Sequence, residues 1–329
     1  MDIVGVAQGI ADDVLFPAAL STDASDIVPL RLLDTLADAG LYGVAAPKES
    51  GGLDADFLTV CAVQEALASG CLTTAFLWAQ HTGLVHALAA GGNRELASTW
   101  LGPLARGEVR AGLALGGALP QPTLRARPDG ENWLLDGVSP FVSGWGRVDV
   151  LHAAARVGDE IVWLLVDATA GPSLRADRMQ LAALNATATV RVTFEQLPVA
   201  ADRVAGRHPV GGGGTPPEVL RMHAALALGV ASRCCRLIGP TALDDELASL
   251  RARLDQLGPG TAAARAAAGE LALRASAALM TTEGSRSLLA AGHAQLLARE
   301  ALFTLVYALR PASRAALLGA LGASGAAAR

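Results

Sequence analysis

A change of apolar period along the chain constrains its fold more than any other feature. Ile3, Ala7, Ile10, Val14 and Ala18 recur at helical spacing until Pro17 and the polar stretch Ser21–Asp26 interrupt them. Pro29 then opens a short amphipathic helix carrying Leu30, Leu33, Ala37 and Leu41 on one side. Helical spacing continues through Val60, Val63 and Leu67, and again from Gly70 through Trp78 toward Gly91, and Asn93 is placed to cap one more short helix. Near Arg110 the period falls to two. Val190, Val192 and Phe194 alternate with Arg191, Thr193 and Glu195, as a half-buried strand requires. Asp129-Gly130 and Gly158-Asp159 are hairpin turn signals within the same region. After Gly211–Gly214 and Pro216-Pro217 the helical period returns, with Val219, Met222, Leu226, Val230, Cys234 and Leu237 on one stripe. The alanine-rich segment 261–282 and a last helix with Leu302, Leu305, Val306 and Leu309 follow, the latter interrupted at Pro311. The chain therefore reads as an α+β multidomain protein: a helical segment over 1–109, a β-rich one over 110–206 and a helical one over 207–329.

Composition narrows the function classes. A net charge of −5 supplies no basic field, so nucleic acid is excluded as a partner. Among the basic residues only Lys48 is a lysine. Between Glu65 and Arg94 no formal charge occurs, a length that suits a membrane span. Gln80, His81, His86 and several glycines within it favour a buried helix hairpin instead, and no membrane partner is expected. Cys61, Cys71, Cys234 and Cys235 lack C-x-x-C spacing, which predicts reduced, buried thiols, a cytoplasmic location and no metal site. The chain contains no Walker loop, no Rossmann glycine fingerprint and no Ser-His-Asp arrangement; Gly211–Gly214 lacks a preceding strand and a following Lys-Ser/Thr and is read as a linker.

Three segments, in order, resemble the acyl-CoA dehydrogenase family. Leu41–Leu53 is similar to the family's glycine- and proline-rich loop G-L-x-G-x-x-x-P-x-x-x-G-G-L. Asp136-Gly137-Val138-Ser139-Pro140-Phe141-Val142-Ser143-Gly144 resembles the segment that ends in an aromatic, an aliphatic and Ser or Thr beside the flavin. Val192–Asp202 resembles the strand and turn that close the family's β-domain. The resemblance implies an N-terminal helical domain, a middle β-barrel domain and a C-terminal helical bundle that oligomerises. It also implies FAD as cofactor, an acyl-CoA or related thioester as substrate, and an electron-transferring flavoprotein as acceptor. The implied reaction is α,β-desaturation: a carboxylate removes the α-proton, and hydride passes from the β-carbon to FAD.

Carried onto this sequence, the resemblance makes Phe141 the wall against the flavin ring, with Val142 beside it and Ser143 as the hydroxyl at the ring's edge. It places Gly116 and Gly117 where backbone N–H groups approach the ligand closely, and Arg221 near the substrate. The catalytic base is not assigned. The usual Tyr-Glu-Gly position reads Tyr307-Ala308-Leu309, and the alternative position is Leu220, with Glu218 two residues away on the helix. His81 has two readings, a pocket acid–base as in monooxygenases on this fold, or a partly buried histidine bonded to backbone. The family's Thr/Ser-Glu-Pro turn is replaced by Leu113–Pro120, and its Arg-x-x-Phe-Gly segment is missing. These departures favour a second hypothesis, a non-catalytic subunit of a heteromeric dehydrogenase. A third is a reduced-flavin-dependent monooxygenase.

Overall fold

The computed structural model describes residues 2–211, 215–309 and 311–323. Three of the four glycines read as a linker, Gly212–Gly214, fall outside them. The first segment holds α1 (Ile3–Ile10), α2 (Phe16–Asp23), α3 (Leu30–Asp38), α4 (Phe57–Gly70), α5 (Leu72–Ala90) and α6 (Arg94–Ala105). Pro17 does not end the first helical run. A π-helical turn, Ala11–Leu15, joins α1 to α2, and its wider backbone leaves room for the proline ring. By length and composition Ile3–Asp23 is apolar enough to cross a membrane. Here Ile3, Ala7, Ala11, Leu15 and Ala19 are buried in the protein, and Asp12 pairs with Arg233 and Arg236. Asn93 caps α6 as expected, its Oδ1 accepting from the Leu96 N–H at 3.0 Å.

The middle segment contains β1 (Ala111–Ala114), β2 (Leu124–Asp129), β3 (Asn132–Val142), β4 (Val150–Val157), β5 (Glu160–Asp167), β6 (Leu174–Arg178), β7 (Val190–Ala200) and β8 (Val204–Pro209). They pair in the order β6-β7-β3-β2-β4-β5-β8, with β1 joined in parallel to β4. Both turn signals are used: β2 and β3 pair antiparallel around Gly130, and β4 and β5 around Gly158.

The last segment comprises α7 (Pro217–Ile238), α8 (Ala242–Asp255), α9 (Thr261–Glu283), α10 (His293–Val306) and α11 (Pro311–Ala320). Its helices share one hydrophobic core with the N-terminal helices, running from Ile3 to Ala301, while the sheet has a separate core around Leu124, Leu151 and Phe194. Small residues bring α4 and α7 together. A Cβ on Gly229 would lie 2.5 Å from the Glu65 carbonyl oxygen and 2.6 Å from the Ala68 Cβ. Gly229→Ala is therefore expected to force α4 and α7 apart and to destabilise the fold by about 1–3 kcal/mol, seen as a lower Tm by calorimetry.

The expected stripe on the last bundle helix is not the buried one. Ala294, Leu297, Glu300, Ala301 and Thr304 face inward on α10, and Leu302 and Val306 are 53% and 69% exposed. The small inward residues allow α10 to lie close against α9, and Glu300 reaches across to the backbone N–H of Leu72, which opens α5. On α7, Leu226, Val230 and Cys234 are buried, whereas the two ends of the expected stripe, Val219 and Leu237, are exposed.

Candidate functional site

Phe141 is the most unusual residue of the sheet. It lies near the end of β3, at a shift in the pairing of β3 with β7 between Ser139 and Val142. Its φ is +55°, and its ring is 64% exposed. A left-handed conformation at a residue bearing a Cβ costs about 1–2 kcal/mol, and exposing a phenyl ring forfeits its burial. Strain kept by surrounding structure is characteristic of functional positions. Val142 is fully buried, so the strand delivers Phe141 outward while its neighbour anchors the backbone in the sheet core.

Ser143 follows, almost entirely buried, and its Oγ lies 2.6 Å from the Thr189 Oγ1. Thr189 Oγ1 in turn lies 2.8 Å from the Thr187 Oγ1, and Thr187 donates to the Leu184 carbonyl at 2.8 Å. The segment Leu184–Ala188 is left-handed at both ends, with φ of +56° at Leu184 and +51° at Ala188. Three of the strained residues that carry a Cβ therefore cluster around one chain of hydroxyls. The segment is tied down on several sides. Val28 N–H donates to the Ala186 carbonyl at 2.8 Å, Gly144 N–H to the Thr187 carbonyl at 2.6 Å, and Arg178 to the Asn185 carbonyl at 2.7 Å. Sequence reasoning missed Thr187 and Thr189, because nothing local distinguishes two threonines in a connecting segment.

Of the remaining sequence-derived candidates, the two glycines pack against β3 and β4, and the others lie on the helices. Gly116 and Gly117 dock their turn onto the sheet. A Cβ on Gly116 would meet the Val138 carbonyl oxygen at 2.4 Å, and one on Gly117 would meet the Ala155 Cα at 2.5 Å. The Gly116 N–H donates to the Ser139 Oγ at 3.1 Å, and Arg156 donates to the Gly117 carbonyl at 2.9 Å. Both glycines are thus occupied by packing within the chain. Arg221 is buried on α7 and turned toward the end of α8, its Nε donating to Asp255 Oδ1 at 2.6 Å. Its charge opposes the effect of burial, which pushes the nearby Cys61 thiol up to about 12. Glu218 is exposed in the first turn of α7, where a negative charge is favourable beside the helix N-terminus.

His81 is buried on α5. Its Nδ1 accepts from the Ala111 N–H at 3.2 Å, and its ring meets Tyr42 edge-on at 4.6 Å. Burial pushes its pKa down to about 3, so the ring is neutral at physiological pH and joins α5 to β1. The four cysteines are unpaired and buried, and burial pushes Cys71 up to about 11. A thiol held that high offers no thiolate for nucleophilic work near neutrality. Among the described residues no group of histidine, cysteine, aspartate and glutamate is arranged to hold a metal ion.

Where α5, α7 and α10 meet, four rings gather. Tyr307 lies 5.0 Å from Phe76, 5.1 Å from His223 and 5.5 Å from Phe303. Ala308, which follows Tyr307, has φ +48° and carries no ionisable group.

Residues 2–108 match the acyl-CoA dehydrogenase N-terminal domain family. The human mitochondrial short-chain specific acyl-CoA dehydrogenase is 23% identical over 147 residues, 43% of this chain; the chain spans only 36% of that relative's length. Solved structures agree over nearly the whole chain. A Mycobacterium smegmatis glutaryl-CoA dehydrogenase in complex with FADH2 superposes with a TM-score of 0.78 at 17% identity, covering 99% of this chain and 95% of that one. The dibenzothiophene monooxygenase of Paenibacillus sp. A11-2 superposes with a TM-score of 0.79 at 16% identity, covering 97% of each chain. With helices, a mostly antiparallel sheet and helices again in that same arrangement, the chain has the fold of the acyl-CoA dehydrogenases, and its residues 2–108 match that family's N-terminal domain.

Proposed function

We propose that the chain is an acyl-CoA dehydrogenase-like flavoprotein oxidoreductase that takes an acyl thioester as substrate. The observation that carries this reading is Phe141, an aromatic ring held open to solvent in a strained conformation at the sheet position where the resemblance puts the flavin wall. The residues around it suit FAD. A flat apolar ring matches an isoalloxazine face, and the neighbouring Ser143 offers an uncharged oxygen to its edge. Bound FAD supplies a hydride acceptor. Phe141 orients the ring, and Val142, packed into the sheet core, holds that wall in place.

The reading is tested by the visible spectrum of the purified protein and by anaerobic titration with a panel of acyl-CoAs. A flavin band that bleaches supports it; a colourless protein that FAD does not reconstitute overturns it. Phe141→Ala is expected to lower FAD affinity about tenfold, measured by equilibrium dialysis, through loss of one ring-on-ring contact of about 1 kcal/mol together with its buried area.

One observation favours a second reading, a subunit that binds flavin without carrying out proton abstraction itself. Neither position 220 nor position 308 carries a carboxylate, and Glu218 is exposed. A flavin band that no acyl-CoA bleaches selects this reading over the first.

A further inference from the structure

The chain of hydroxyls that starts at Ser143, two residues after Phe141, has a single consistent direction. Each hydroxyl has one proton to give. The Leu184 carbonyl can only accept, so Thr187 spends its proton there. Thr187 must then accept from Thr189, and Thr189, with its own proton committed, must accept from Ser143. The Ser143 Oγ is left with lone pairs only. Leu184 and Ala188 hold this arrangement from both ends in left-handed conformations, and the hydrogen bonds from Val28, Gly144 and Arg178 fix the segment between them.

We propose that Thr187 and Thr189 are positioning residues that make Ser143 a hydrogen-bond acceptor toward the bound ligand, so that the site prefers reduced flavin over oxidised flavin. This inference rests on the flavin reading above. The ring nitrogen at the edge of a flavin's central ring carries a hydrogen when reduced and a bare lone pair when oxidised. An oxygen that can only accept pairs with the first and opposes the second. A serine free to turn its hydroxyl would serve both states, and the Thr189–Thr187 chain removes that freedom.

The experiment is to measure the dissociation constants of oxidised FAD and of dithionite-reduced FAD under anaerobic conditions, for the wild-type chain, Thr189→Val and Ser143→Ala. The wild type is expected to bind the reduced form about tenfold more tightly or better, since one hydrogen bond gained or opposed is worth about 1.4 kcal/mol. Thr189→Val keeps the side-chain shape and returns the proton to Ser143, and the ratio of the two constants is expected to fall about tenfold. Ser143→Ala is expected to abolish the preference, and it provides the same reading should the buried valine disturb folding. A merely structural role for Thr189 would weaken both redox forms alike and leave the ratio unchanged. Equal ratios in the wild type and both variants overturn the proposal while the flavin reading stands. No binding of FAD in either redox state overturns both.

Discussion

Stability is expected to pass through a maximum near pH 6.5 and to fall on both sides, with Glu300 responsible for the alkaline limb. Glu300 is wholly buried on α10, and its Oε1 accepts from the Leu72 N–H at 3.3 Å, at the start of α5. Burial pushes its pKa up to about 8, reinforced by Asp23 and opposed by the Leu72 N–H and by Arg299. The folded state therefore holds a proton that the unfolded state gives up above about pH 4.5. Stability is lost as pH rises through that window, at up to about 1.4 kcal/mol per pH unit, and the loss levels off above about pH 8. Glu300→Gln keeps the size and an oxygen for the Leu72 N–H but does not ionise. Its urea midpoint is expected to stay level between pH 7 and pH 8, where the wild-type midpoint declines. Parallel declines in the two proteins would remove Glu300 as the cause.

The acid limb has the opposite sign and a different origin. His81 and His152 are both buried, and burial pushes each pKa down to about 3, with His208 adding to the effect on His152. Below about pH 6.5 the unfolded chain binds protons at both histidines and the folded chain does not, so stability falls with pH by up to about 2.7 kcal/mol per unit. Between pH 4.5 and 6.5 this outweighs the gain from protonating Glu300, which places the maximum near pH 6.5. His152 is the cleaner test of the two. Its ring lies over Trp163 with centroids 4.4 Å apart, and its Nε2 has no hydrogen-bond partner among the described residues. His152→Phe keeps the ring contact and removes the buried polar atom. It is expected to be as stable as the wild type or more so at pH 7, and to flatten the acid limb between pH 4.5 and 6.5, where the loss left at His81 is offset by the gain at Glu300. An unchanged slope would mean that His152 does not titrate in the unfolding transition. His81 is less suitable, because replacing it would leave the buried Ala111 N–H without its acceptor.

The order of the secondary structure was legible because local physics carries it. Asn93 caps a helix through its own side chain, Gly130 and Gly158 turn hairpins through their own positive φ, and Val190, Val192 and Phe194 face one core because strand geometry has a period of two. The strained, exposed ring of Phe141 and the burial of Ser143 were not legible in the same way, although the segment that carries them was recognisable. Neighbours distant in sequence were not legible. The Leu302–Val306 stripe satisfied helical periodicity, yet α10 turns it outward because its alanine, threonine and glutamate face meets α9 and the start of α5. Arg221 stood at the expected place on α7, and only its pairing with Asp255 on α8 shows that its guanidinium points into the bundle.

From the sequence alone came the succession of helices, strands and helices, the four buried and unpaired cysteines, and the strand that carries Phe141. Those properties follow from residue type and spacing over a dozen positions or fewer. The tertiary structure alone decided that the first and last helical segments share one core, that Gly116 and Gly117 serve the packing of their turn, and that Ser143, Thr189 and Thr187 meet in one chain of hydroxyls. Each of these depends on atoms brought within 4 Å by parts of the chain that local preference leaves independent, and such contacts form only once the whole fold has closed.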